Sequence, residues 1–266
     1  MTTLPSPADG PSTARRMLNK VPEVTLWFWV IKILCTTVGE TAADYLSDTL
    51  GFGLVNTSWI MGGLLVAVLA VQFGLRRYVA PVYWLSVVLI SIVGTLITDN
   101  LTDGHGVPLT TTTAIFGIAL AVTFGAWYVV ERTLSIHTIV TVRREAFYWL
   151  AILFTFALGT AAGDLIAERY ALGYRNSVLL FAAFIAIVVV AHLRLHLAAI
   201  PAFWSAYVLT RPLGASIGDY MSQPRSDGGL GLGTTETSAI FLTVIVVLVG
   251  FLAVSRRDQT PPSLTA

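Results

Sequence analysis

Asp44, Asp99, Asp164 and Asp219 each lie five residues after a glycine (Gly39, Gly94, Gly159, Gly214) and fifteen after a tryptophan (Trp29, Trp84, Trp149, Trp204). Carboxylates recurring at one helical register suit two chemistries. They suit a hard divalent cation such as Mn²⁺ or Mg²⁺, which collects several oxygen ligands. They also suit protons, because crowded carboxylates cannot all stay ionised. Further acids follow four residues on, at Asp48, Asp103 and Glu168, with Gln223 in the fourth place. Glu40 lies one turn before Asp44, so Glu40, Asp44 and Asp48 are expected to form one stripe. Twelve residues after the first three aspartates come Asn56, Thr111 and Asn176, which offer neutral oxygens.

The metal-ligand candidates are Asp44, Asp48, Asp99, Asp103, Asp164 and Glu168. An ion path through the protein adds Asp219, Glu40 and two bases set among apolar residues, Lys32 and Arg211. Embedded bases pair with acids by default, and the expected partners are Glu40, Asp44 or Asp219. The alternative for the bases is a direct role, displacing an ion from the acids or binding an anionic substrate. The alternative for the acids is structural, each Asp ending its helix. No phosphate loop, zinc-helix motif or nucleophile elbow occurs, so neither an enzyme nor a resident cofactor is expected.

The elements that carry these residues are apolar. Of 266 residues 55% are hydrophobic and 12% charged, about half the usual quarter for globular chains. That excludes a soluble domain, a disordered chain and a nucleic-acid binder. Cys35, the single cysteine, excludes a disulfide scaffold. Apolar runs long enough for a ~30 Å hydrocarbon core predict eight helices: Leu26–Leu46, Ser58–Phe73, Val82–Leu101, Thr113–Val130, Phe147–Ile166, Val178–Leu195, Ala202–Met221 and Ala239–Ser255. The runs lack the alternation of membrane β-strands. The chain reads as an all-α polytopic membrane protein.

Basic residues orient it. Arg15, Arg16, Lys20, Arg76, Arg77, Arg132, Arg143, Arg144, Arg194, Arg256 and Arg257 fall on one side of eight spans, against Arg169, Arg175 and Arg225 on the other. The richer side is expected to be cytoplasmic, with both termini. The acids concentrate on the opposite side as an outer vestibule. Residues 1–21 are expected to form a disordered tail and 259–266 a second short tail.

The pattern aromatic–Trp, Gly, Asp occurs four times, led by Phe28, Tyr83, Tyr148 and Phe203. The transmembrane domain, 22–258, therefore divides into repeats of about 22–77, 78–132, 133–195 and 196–258. Two helices per repeat return the chain to its starting side. The repeats are thus parallel, with pseudo-symmetry about an axis along the membrane normal. Each glycine starts a small-xxx-small pair (Gly39/Ala43, Gly94/Thr98, Gly159/Gly163, Gly214/Gly218), a face on which helices approach closely. The tryptophans Trp29, Trp84, Trp149 and Trp204 are expected to anchor the helices at the membrane interface.

With four copies at fixed spacing, the chain resembles a bacterial membrane-protein family of four tandem two-helix repeats of unknown function. Members are often labelled membrane-anchored proteins predicted in efflux transport. The resemblance implies a bacterial inner-membrane exporter. From the residues, the expected activity is proton-coupled transport of a small cation such as Mn²⁺, with the bilayer as partner and the oligomeric state open. The alternative is a membrane scaffold whose acids only hold hairpins together.

Overall fold

A computed structural model describes residues 19–259. It contains eight long helices: α1 (Leu26–Asp44), α2 (Gly53–Gly74), α3 (Ala80–Asp99), α4 (Leu109–Glu131), α5 (Val142–Asp164), α6 (Tyr174–Arg194), α7 (Ala199–Ser222) and α8 (Thr234–Ser255). Seven helical spans are long and apolar enough to cross a membrane. The exception is α7, whose 24 residues still reach about 36 Å at 1.5 Å per residue. It carries Arg211 and Pro212 and buries most of its length against other helices. The protein is a multi-pass membrane protein. The tail expected over residues 1–21 lies outside the described residues except for its last three, and the second tail except for Gln259.

The even helices begin four or five residues earlier than their apolar runs. Asn56, Thr112, Asn176 and Ser177 precede the expected runs, yet each side chain, like that of Ser58, bonds the carbonyl four residues back. The first polar turn is thereby helical. Thr57, Thr112, Ser177 and Thr237 are buried there, whereas Asn56, Thr111 and Asn176 are exposed.

The odd helices form an inner ring in the order α1, α3, α5, α7 and back to α1. Each even helix packs outside the ring on the first helix of the next repeat: α2 on α3, α4 on α5, α6 on α7, α8 on α1. Every hairpin thus hands its second helix to its neighbour, and the last repeat closes on the first. The outer helices bury one narrow stripe each, such as Thr112, Phe116, Leu120, Thr123 and Trp127 on α4. Their remaining faces are apolar and exposed, as lipid contact requires.

Glycines set the spacing of the inner ring. A Cβ on Gly39 would land on Ser91, on Gly94 on Phe156, on Gly159 on Arg211 and on Gly214 on Thr36. Each target is the residue three before the next repeat's glycine. One contact is therefore repeated around the ring, with backbones too close for any side chain at the glycine. Apolar lipid tails give helices no hydrophobic reason to associate, so this close van der Waals fit carries the packing.

The tryptophans form a second cyclic set. Trp84 packs on Phe28 (ring centroids 5.7 Å), Trp149 on Tyr83 (5.5 Å), Trp204 on Tyr148 (6.3 Å) and Trp29 on Phe203 (5.6 Å). Trp84, Trp149 and Trp204 are buried. For these three, burial corrects the assignment as interface anchors: each clamps its helix to the aromatic of the preceding repeat. Trp29 alone is half-exposed.

Both chain ends of the described segment lie at the Trp end of the bundle. Lys20 Nζ reaches Glu145 at 2.7 Å and the Phe73 carbonyl at 3.0 Å. Gln72 Nε2 donates to the other Glu145 oxygen at 3.0 Å. Tyr78 donates to Asp258 at 2.5 Å, and the Asp258 carbonyl accepts from the Glu23 N–H. These bonds tie the entry segment, the end of α2, the α2–α3 connection, the start of α5 and the exit of α8 together. The aspartates sit at the opposite end.

Candidate functional site

Reading along the ring axis from the Trp end, equivalent residues of the four repeats form layers. Phe28, Tyr83, Tyr148 and Phe203 come first, paired between helices adjacent in the ring. The Tyr83 and Tyr148 hydroxyls share a hydrogen bond of 2.5 Å, and Phe28 lies 5.9 Å from Phe203. Lys32 follows in the layer of Tyr207. Next comes Thr36, Ser91, Phe156 and Arg211, then Glu40, Thr95, Thr160 and Ala215, and last the four aspartates.

Lys32 is wholly buried. Its ammonium donates to the Tyr207 carbonyl at 2.9 Å and to the Thr210 hydroxyl. It also lies 4.0 Å from the Tyr207 ring centroid and 5.3 Å from that of Phe156. No carboxylate pairs with it among the described residues, against the expectation of an acid partner. Carbonyl, hydroxyl and aromatic faces stabilise the cation instead.

Arg211 does find an acid. Its Nη2 donates to Glu40 at 2.9 Å, to Thr160 Oγ1 at 2.6 Å and to Thr95 Oγ1. Glu40 is itself buried. The guanidinium therefore crosses the ring axis from α7 to α1, α3 and α5.

Beyond this layer each of the four aspartates lies within electrostatic reach of Glu40. Oxygens of Glu40, Asp164 and Asp219 lie within 4.8 Å of one another. Asp219 is 8% exposed, while Asp44, Asp99 and Asp164 are partly exposed. None of the four side chains accepts a hydrogen bond among the described residues. Arg211 is the cation in electrostatic reach of Asp44 and Asp164. The carboxylates thus converge at the mouth of the helix ring with one guanidinium beneath them.

The expected stripe of Glu40, Asp44 and Asp48 is interrupted. Directly after Asp44, Asp99 and Asp164 the chain widens into one π-helical turn, at Tyr45–Thr49, Asn100–Gly104 and Leu165–Arg169. A wider turn rotates later residues off the α-helical register. Asp48, Asp103 and Glu168 lie exposed at the rim, off that register yet still within electrostatic reach of the aspartates. Glu168 accepts from Tyr174 at 3.2 Å. The close carboxylate trio includes Asp164 from the expected ligands but otherwise consists of Glu40 and Asp219. In the fourth repeat α7 stays α-helical through Ser222, which keeps Asp219 inside the bundle.

The importance of Thr95 and Thr160 was not read from the sequence, although the signal was present. Both directly follow a motif glycine, as Glu40 does. Gly163 and Gly218 continue the close ring contacts, Gly163 against Pro212 and Gly218 against Thr41 and Glu40.

The fold and site define a class: a membrane-embedded ring of four pseudo-equivalent helical hairpins with acids converging on its axis. The model of the family described as Repeat of Unknown Function (DUF347) matches four times, at residues 27–78, 82–133, 147–197 and 202–258, and the chain belongs to that family. No curated protein and no solved structure matches it.

Proposed function

We propose that the protein is a transporter of a small cation, a divalent metal such as Mn²⁺, exported in exchange for protons. The observation that supports this reading is the convergence of Glu40 and the four aspartates on the ring axis, with Arg211 the one guanidinium beneath them. Holding hairpins together does not require this: the glycine and tryptophan contacts already close the ring. Unpaired carboxylates inside a membrane are costly, and in membrane proteins they mark ion and proton paths.

In this reading the basic Trp end faces the cytoplasm of a bacterial inner membrane and the acids open outward. A cation held by the carboxylates leaves when protons from outside take its place, because protonation removes the ligand charge. The site works by binding and release, without a covalent step, so the protein is not an enzyme. The scaffold reading draws on one specific observation, the buried Arg211–Glu40 pair, which holds α7 to α1.

The test is reconstitution of the full chain in liposomes loaded with Mn²⁺ and a metal-quenched dye. An imposed proton gradient should drive Mn²⁺ movement that empty liposomes lack. Mn²⁺ movement equal to that of empty liposomes, at every gradient, would leave the scaffold reading standing.

A further inference from the structure

Arg211 occupies the place that Thr36, Ser91 and Phe156 hold in the other repeats. Its side chain is fully buried and reaches toward the acids. The three side chains that receive it, Glu40, Thr95 and Thr160, are equivalent residues of the first three repeats. The fourth equivalent, Ala215, offers no side-chain oxygen. One repeat thus supplies a cation and the other three supply its oxygen ligands. The guanidinium sits on the axis like a bound ion attached to the protein.

Two features distinguish this from an arginine fixed for stability. First, the two hydrogens of Nη2 are shared among all three acceptors, while buried Nε and Nη1 find no acceptor among the described residues. Arg–carboxylate pairs frequently use both arms of the fork, and this one uses a single nitrogen. Second, Pro212 follows Arg211 inside α7. Proline removes one main-chain hydrogen bond and crowds the carbonyl four residues back, that of Val208, which loosens the helix where the guanidinium is mounted. Glu40 is meanwhile shared. It receives Arg211 and also belongs, with Asp164 and Asp219, to the trio of carboxylates within 4.8 Å.

We propose that Arg211 is a tethered cation that competes with the transported cation for Glu40, so that arrival of the cation releases the guanidinium from the axis. The proposal rests on the cation-transport reading above and names how that site is regulated. With Arg211 engaged, Glu40 is neutralised and the axis is filled beneath the aspartates. With a divalent cation on Glu40, Asp164 and Asp219, the guanidinium loses its charged partner and is repelled by the ion. Arg211 therefore lowers cation affinity, which favours release, and blocks the axis when the site has emptied.

The experiment is calorimetric titration of the purified full chain in detergent with Mn²⁺. Arg211→Gln is expected to bind Mn²⁺ at least tenfold more tightly than the unmodified protein. The same change made in a Glu40→Gln background is expected to give no such gain. Thr95→Val with Thr160→Val keeps the charge but loosens its hold, and is expected to tighten binding several-fold. That variant decides the question if Arg211→Gln fails to fold. Unchanged or weaker binding in Arg211→Gln and in Thr95→Val with Thr160→Val, with Mn²⁺ bound by the unmodified protein, overturns the competitor role alone. Absence of Mn²⁺ binding in every variant overturns the cation reading and this proposal together.

Discussion

Gly214 in the last repeat lies so close to Thr36 in the first that a Cβ on the glycine would coincide with the threonine hydroxyl. This contact closes a ring whose other three contacts have the same form. The Thr36 hydroxyl donates its one hydrogen chiefly to the Ile33 carbonyl at 2.6 Å, with the Thr210 carbonyl 3.3 Å away, so swinging the side chain aside breaks that bond.

Alanine at Gly214 should therefore overpack the α7–α1 seam and cost about 1–3 kcal/mol. Thermal unfolding of the purified protein in detergent measures it. Thr36→Gly combined with Gly214→Ala should recover part of the loss, since the added methyl then has room. Gly62, whose Cβ would meet nothing within 4 Å, is the control and should accept alanine without loss. Equal effects at Gly214 and Gly62 would mean that the glycines do not set the ring.

The tryptophans give a second, independent handle on the ring. Trp84 is buried against Phe28 and Tyr83, whereas Trp29 is half-exposed. Trp84→Ala should cost about 3–5 kcal/mol, the range for a large aromatic lost from a packed interior. Trp29→Ala should cost visibly less. An interface anchor would give the opposite result, since its contacts are with lipid and not with the helix ring. Chemical or thermal melts of the two variants side by side distinguish the cases.

Much of this architecture was legible because the chain repeats itself. The Trp–Gly–Asp spacing gave parallel hairpins and small faces directed inward, and the inner ring follows from them. What escaped was physical detail that residue type alone does not encode. Nothing in Tyr45–Thr49 or its counterparts marks a π turn, yet the α-helical register that places Asp48 on the stripe of Asp44 is not kept. Trp84 looks the same in sequence whether it meets lipid or Phe28. Lys32 was given an acid partner because a buried ammonium needs compensation, but the Tyr207 carbonyl, the Thr210 hydroxyl and two aromatic faces supply it. The partners Thr95 and Thr160 were readable in principle, as the residues aligned with Glu40.

At the Trp end, burial pushes the Asp258 carboxyl above its ordinary value, and the hydrogen bond from Tyr78 pulls it partly back. Burial likewise pushes the Tyr78 hydroxyl up, so that it stays a donor. A carboxyl raised in the folded state contributes stability fully below its unfolded value, near about 3.9. That contribution is lost as pH climbs through the folded value. Asp258→Asn keeps an acceptor for Tyr78 and cannot ionise. Its melting temperature relative to the unmodified protein should therefore rise as pH increases from about 4 to about 7. A difference that stays flat with pH would show that Asp258 is solvated and contributes no such linkage.

The transport reading makes its sharpest distinction between the axis and the rim. Asp219 is the most enclosed aspartate of the ring, and its oxygens meet those of Glu40 and Asp164 within 4.8 Å. Asp48, Asp103 and Glu168 carry the same charge but lie exposed on the π turns at the rim. Losing one ligand charge at the axis removes an interaction of about 1.5–3 kcal/mol, the range for bonds to charged groups. At about 1.4 kcal/mol per tenfold, Asp219→Asn and Asp164→Asn should each weaken Mn²⁺ flux in liposomes by roughly tenfold or more. Asp48→Asn and Asp103→Asn should change it by no more than about twofold, since exposed charges are screened. Gel filtration of each variant separates lost transport from lost folding. If the rim variants fail as completely as the axial ones, the cation is held in the vestibule above the aspartates. The convergence on Glu40 then has a structural purpose, and the ring axis is not the path.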